Sequence, residues 1–171
     1  MRPIRAITLD LDDTLWPSMP TINRAELRAH AWLAEHVPAV HARWSIEQFR
    51  ELRMAVYQAH PELHHDYLRI RRLAMHQAFD EVGLSGYEAH ERIEEALTVF
   101  MTARQEVELY PDVLASLQRL SRRYSIASLT NGNADVVRIG LSPYFKVVVS
   151  AHQRGMSKPD PALFHTACRE L

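Results

Sequence analysis

Three acids stand within four residues near the start of the chain, Asp10-Leu11-Asp12-Asp13, and Thr14 follows them. They close a short apolar run, residues 6–11, of the kind expected for a strand buried on both faces of a parallel sheet. In such sheets ligands bind beyond the carboxyl ends of the strands, so these carboxylates fall where a site forms. If strand geometry persists that far, the period of two puts Asp10 and Asp12 on the same side. At ~4 Å and an effective dielectric of ~20, each carboxylate pair costs up to about 4 kcal/mol. That repulsion predicts a cation among them, and oxygen ligands suit Mg²⁺. The alternative reading is a set of turn-forming and helix-capping acids.

Two later stretches bear on the choice. A second strand, expected over 124–129, runs into Thr130-Asn131-Gly132-Asn133: a hydroxyl, an amide and a flexible backbone ahead of a short helix expected over 134–139. A helix N-terminus there would be an anion site. After a third strand, expected over 146–150, Gly155-Met156-Ser157-Lys158-Pro159-Asp160 places one ammonium in a loop before a helix start. Singly, Thr130 reads as a turn residue and Lys158 as a surface charge. Together, three successive strand ends supply carboxylates, a hydroxyl and a cation, a set suited to phosphoryl transfer.

The elements that must hold these groups follow from periodicity and caps. Residues 21–104 read almost entirely as helix. Ser45-Ile46-Glu47-Gln48 is a capping box opening a helix to about residue 58, and Ser85 with Glu88 makes another. Ile93, Ala96, Leu97, Phe100 and Met101 form an apolar stripe at helical spacing. Leu68, Met75, Phe79 and Val82 form a second, stopped by Gly83 at a C-cap. Four amphipathic helices there imply a small bundle. Pro111-Asp112 opens a helix to about residue 123, and Asp160-Pro161 supplies the N-cap and first residue of a last helix. Strand, helix, strand, helix is the rhythm of a Rossmann-like parallel α/β sheet, here split by a helical insertion after strand one.

Composition excludes several other functions. Among 171 residues, 20 Lys and Arg against 21 Asp and Glu give a net charge of −1, so no basic field exists for nucleic acid or an anionic membrane. The five glycines have neither P-loop nor dinucleotide-turn spacing. The one cysteine, Cys168, rules out an internal disulfide and is compatible with a reducing cytosol. No signal-peptide pattern and no span-length apolar run is present, and a cytoplasmic protein is expected. His60, His64, His65 and Asp66 cluster without a His-Glu-x-x-His pattern. With Arg69, Arg71 and Arg72 nearby, that segment reads as surface or cap histidines, or as a contact for a ligand's phosphate or ring edge.

On Asp10-Leu11-Asp12-Asp13-Thr14, Thr130-Asn131 and Lys158-Pro159, the chain resembles the haloacid dehalogenase superfamily phosphatases across its whole length. The resemblance implies a core of residues 1–17 and 105–171, lacking its last strands, with residues 18–104 as a helical C1 cap. More narrowly, residues 9–15, 61–66 and 130–134 are similar to the bacterial phosphatases of flavin mononucleotide and of 5-amino-6-(5-phosphoribitylamino)uracil. It implies catalytic roles for Asp10 as nucleophile, Asp12 as acid and base, and Thr130 and Lys158 as phosphate-stabilising groups, with Mg²⁺ as cofactor. The metal would be held by the Asp10 carboxylate, the Asp12 backbone carbonyl and the phosphate. Asn131, Gly132, Trp16, His65, Asp66 and Arg69 are the expected substrate contacts, Trp16 by stacking on a flavin or pyrimidine. A carboxylate at position 12 favours phosphate esters over carbon–halogen bonds, whose cleavage needs no acid for the leaving group. The acidic fourth motif is absent from the 13 residues after Lys158. A fragment of a longer enzyme is therefore expected, with strand one an exposed edge that invites a second copy. A weak or inactive phospho-ligand-binding protein and a phosphomutase remain the alternatives.

Overall fold

The structure is a computed structural model and describes residues 3–171. In chain order it runs β1 (Ala6–Leu9), α1 (Ser18–His36), α2 (Pro38–Arg43), α3 (Ile46–Ala59), α4 (Tyr67–Glu81), α5 (Gly86–Arg104), α6 (Val113–Ser121), β2 (Ser125–Thr130), β3 (Val147–Ser150), α7 (Ala151–Arg154) and α8 (Pro161–Glu170). The chain divides into two compact units, Met1–Ser18 with Gln105–Leu171, and Met19–Arg104.

In the first unit the three strands pair in parallel in the order β1-β2-β3, giving an α/β sheet. Alternation along β2 sorts its side chains to two faces. Ile126 packs with Val113 and Leu117 of α6, while Ala127 and Leu129 join Val149, Leu163 and Ala167 of β3 and α8. Leu9 lies level with Ser128 and Thr130 with Ser150, so all three strands deliver their C-terminal ends to the same edge of the sheet. β1 is an edge strand, and Ala6 and Thr8 alternate outward with Ile7 and Leu9 half-buried.

Two expectations need correction here. β1 stops at Leu9, so strand alternation does not orient Asp10 and Asp12. A turn does it instead: Thr14 N and Leu15 N both donate to Leu11 O, and Asp13 sits in the left-handed region at φ 59. That conformation is tolerated by Asp, whose short side chain bonds locally. Here its carboxylate accepts from Ser18 N at 2.8 Å and from Ser18 Oγ at 2.7 Å, at the start of α1. The helix expected over 134–139 is only a turn. Asp135 Oδ1 accepts from Val137 N and Arg138 N, Gly140 adopts φ 85, and Leu141 N and Ser142 N both return to Val136 O. The chain is wound back before a second helical turn can form, so the Thr130 loop does not run into a helix.

The second unit is helical, α1 to α5, with a core of Leu33, Val40, Phe79, Ile93 and Leu97 among others. The Ser45 box and the Gly83 cap match their signatures. Gln48 N donates to Ser45 Oγ while Ser45 N donates to Gln48 Oε1, completing the box at α3. Gly83 at φ 75 follows α4, and Leu84 N reaches back to Phe79 O.

Candidate active site

The turn after β1 presents the carboxylates of Asp10 and Asp12 in different ways. Asp10 Oδ1 accepts from Leu11 N at 2.8 Å, and its Oδ2 lies 2.8 Å from Lys158 Nζ. The two side chains are 43% and 22% exposed, so the pair is open to a ligand. Asp12 Oδ1 accepts the indole N–H of Trp16 at 2.9 Å. Its Oδ2 stands against Gly132, where an added Cβ would collide with it. Gly132 N in turn donates to Thr130 Oγ1 at 2.9 Å. Because that oxygen accepts here, the buried hydroxyl keeps its own hydrogen for a further partner. Asp10, Asp12, Thr130, Gly132 and Lys158 are thus gathered at one strand-end edge.

Asn131 and Trp16 do different work from that expected. Lys158 N donates to Asn131 Oδ1 at 2.7 Å, and Asn131 Nδ2 donates to Lys158 O at 3.1 Å. The amide bonds the lysine's main chain on both sides and so braces the loop from which that ammonium emerges. Trp16 is fully buried among Leu11, Val113 and Leu117, with its N–H on Asp12. No face of its ring is open for stacking a flavin, which corrects that expectation. The turn folds position 16 back beneath position 12, a consequence that spacing along a strand does not disclose.

His65, Asp66 and Arg69 lie in the helical unit. Asp66 is the N-cap of α4, its Oδ1 accepting from Arg69 N at 3.0 Å. Arg69 is exposed and His65 half-buried. Sequence reasoning missed Gln105, which anchors the loop after β2: its Nε2 donates to Asn133 O at 3.3 Å and its Oε1 accepts from Asp135 N at 2.7 Å. A buried Gln just past the end of a long helix carries no motif that would have flagged it.

Among the described residues, no three His, Cys, Asp or Glu side chains converge as a metal cage. The donors at hand, two carboxylates and main-chain carbonyls, are hard oxygens. That set fits Mg²⁺, which is commonly bound by one or two carboxylates and keeps water and substrate phosphate as its other ligands.

The model of the haloacid dehalogenase-like hydrolases matches residues 4–171. The 5-amino-6-(5-phospho-D-ribitylamino)uracil phosphatase YigB of Escherichia coli (strain K12) is 34% identical over 168 residues, which are 98% of this chain and 70% of that protein. The phosphoserine phosphatase of Thermus thermophilus is 28% identical over 197 residues, 96% of this chain and 74% of that one. In fold, the crystal structure of a 2-haloacid dehalogenase from Pseudomonas syringae pv. Tomato DC3000 superposes with a TM-score of 0.90 at 36% identity, covering 98% of this chain and 72% of that chain. With a family match over nearly its whole length and phosphatases among its sequence relatives, the chain belongs to the haloacid dehalogenase-like hydrolases as an enzyme of the phosphatase type.

Proposed function

We propose that the protein hydrolyses a small phosphomonoester through an aspartyl-phosphate. The observation that carries this reading is a carboxylate paired with an ammonium, Asp10 with Lys158, beside a second carboxylate, Asp12, held separately by Trp16. In the first half-reaction an Asp10 oxygen attacks phosphorus in line. The P–O bond to the leaving alcohol breaks with its electron pair, and Asp12, entering protonated, gives that oxygen a proton. In the second, Asp12 takes a proton from water as its oxygen attacks phosphorus. The Asp10–phosphorus bond breaks, and inorganic phosphate leaves with Asp12 protonated again.

Attack of a carboxylate on a phosphate dianion is opposed by roughly 8 kcal/mol at ~4 Å and an effective dielectric of ~20. The Lys158 ammonium and the Thr130 hydroxyl hydrogen are placed to offset it by binding phosphate oxygens. Mg²⁺, which the Asp10 carboxylate and the Asp12 main-chain carbonyl would hold, supplies further neutralisation of the phosphate charge when bound. For the substrate, the relationship to the E. coli enzyme supports the ribitylaminouracil phosphate, with flavin mononucleotide as the related ester.

Release of p-nitrophenol from p-nitrophenyl phosphate tests the reaction, and comparison of the two flavin-related esters tests the substrate. Activity with Mg²⁺ that EDTA abolishes is expected. The likeness to the Pseudomonas dehalogenase favours a second reading, carbon–halogen hydrolysis. Metal-independent halide release from 2-chloropropionate, with no phosphate release, would replace the first reading by the second.

Two substitutions test the bracing. Asn131→Ala leaves the Lys158 N–H and C=O without their partners, which costs about 1–3 kcal/mol in denaturant unfolding. It should lower kcat more than it raises KM, because the displaced ammonium is needed most as phosphorus transfers. Gly132→Ala drives a methyl into Asp12 Oδ2. A shift of the acid by ~1 Å costs about 10²-fold in kcat. An unchanged kcat in steady-state kinetics would show that Asp12 is not the acid.

A further inference from the structure

Several histidines of the helical unit already have a ring nitrogen engaged. His30 Nε2 is on Trp44 O, His36 Nδ1 on Trp32 O, His60 Nδ1 on Glu62 Oε1 and His64 Nε2 on Tyr57 O. His76 of α4 and His90 of α5 differ. Their rings face each other with centres 5.6 Å apart and planes 16° from parallel. Among the described residues, neither ring has a hydrogen bond to the protein at either nitrogen. His90 is exposed and His76 half-buried, so the pair is open to solvent.

Four residues along on each helix, Arg72 of α4 meets Glu94 of α5, with Nε on Oε1 and Nη2 on Oε2 at 3.0 Å. Residues four apart lie one above the other on a helix face, so the two pairs form adjacent rungs between α4 and α5. The Arg72 hydrogen bond holds the Glu94 carboxyl below the usual carboxylate range, and the His90 and His76 charges add to it in smaller measure. The carboxylate is therefore within electrostatic reach of both rings. Two neutral imidazoles with unshared nitrogen lone pairs suit Zn²⁺, Ni²⁺ or Cu²⁺, whereas Mg²⁺ prefers oxygen. With metal–nitrogen bonds of ~2.0–2.1 Å, the centres of two imidazoles on one tetrahedral ion stand about 5 Å apart. The spacing here is close to that, and a rotamer adjustment of the exposed His90 turns its nitrogen toward the shared point.

We infer that His76 and His90 together bind one divalent ion of the Zn²⁺, Ni²⁺ or Cu²⁺ kind, with water in its remaining positions and Glu94 as counter-charge. Such an ion ties α4 to α5. The site uses no residue of the hydrolytic chemistry, so its test reads binding rather than turnover. ZnCl₂ is titrated into the full ¹⁵N-labelled chain in excess Mg²⁺, which competes for the carboxylates after β1, while the imidazole nitrogen signals are followed. Saturable shifts of the His76 and His90 signals with the first equivalent of Zn²⁺ are expected. His90→Ala and His76→Gln each remove one ligand and should weaken that step tenfold or more; as changes at solvent-accessible positions, they should leave the fold intact. Arg72→Gln removes a positive charge one rung away and releases Glu94, and should tighten Zn²⁺ about tenfold. The inference is overturned if the first equivalent leaves both rings unmoved, or if rising Mg²⁺ displaces the ion. It is equally overturned if His90→Ala or His76→Gln binds Zn²⁺ as the parent does, or if Arg72→Gln fails to tighten it.

Discussion

An Asp10→Asn protein folds like the parent and turns over at least about 10⁴-fold more slowly, the scale seen when a covalent nucleophile is removed. The carboxamide oxygen can still accept from Leu11 N, so the turn after β1 keeps its local bond. What is lost is the ion pair to Lys158, and with side chains 43% and 22% exposed that pair contributes no more than about 1 kcal/mol to stability. Stability and catalysis therefore separate. Circular dichroism melting should show nearly parental behaviour, while p-nitrophenyl phosphate assays show background rates. A variant that retains a near-parental rate would remove Asp10 as nucleophile, and with it the covalent route.

Asp12→Asn should produce a different signature, because Asp12 acts twice. General acid–base catalysis contributes about 10²–10⁴-fold. An alkyl phosphate needs the proton on its leaving oxygen and should lose that full factor. p-Nitrophenolate leaves readily without a proton, so the first half-reaction stays fast with that ester and only hydrolysis of the aspartyl-phosphate stalls. The expected result is a burst of about one equivalent of p-nitrophenol followed by a slow steady rate, a hallmark of an accumulating covalent intermediate. Asn retains an oxygen to accept the Trp16 N–H, so the turn should survive. Equal losses on both esters without a burst would assign Asp12 to support of the site rather than proton transfer.

Much of the fold was legible because it is locally encoded. The Ser45 box, the Asp160-Pro161 start of α8 and the left-handed Gly83 after α4 each depend on a few neighbouring residues, and all three formed where the sequence put them. The run of β2 has no strict polar alternation and so reads as a strand covered on both faces, and its residues 126–130 are all buried; β3 reads the same way, but its Val148 is exposed. The ends of elements were less legible. At β1 the run of apolar residues outlasted the pairing, since Leu11 is buried by a turn rather than by the sheet. At 134–139 an Asp cap and a left-handed Gly cut a helix-like pattern to one turn.

By itself the sequence determined which groups stand at the strand ends: the acids at 10 and 12, the hydroxyl at 130 and the ammonium at 158, because strand order and short loops leave those positions nowhere else to emerge. Only the tertiary structure decided what each group is bonded to. Asn131 is spent on Lys158 across 27 residues of chain, Gly132 is cut back to admit Asp12, and Trp16 turns inward to hold that acid. Side-chain partners are chosen by which backbones are brought within hydrogen-bonding range, about 3 Å, and that distance between segments far apart in sequence is not set by either segment alone.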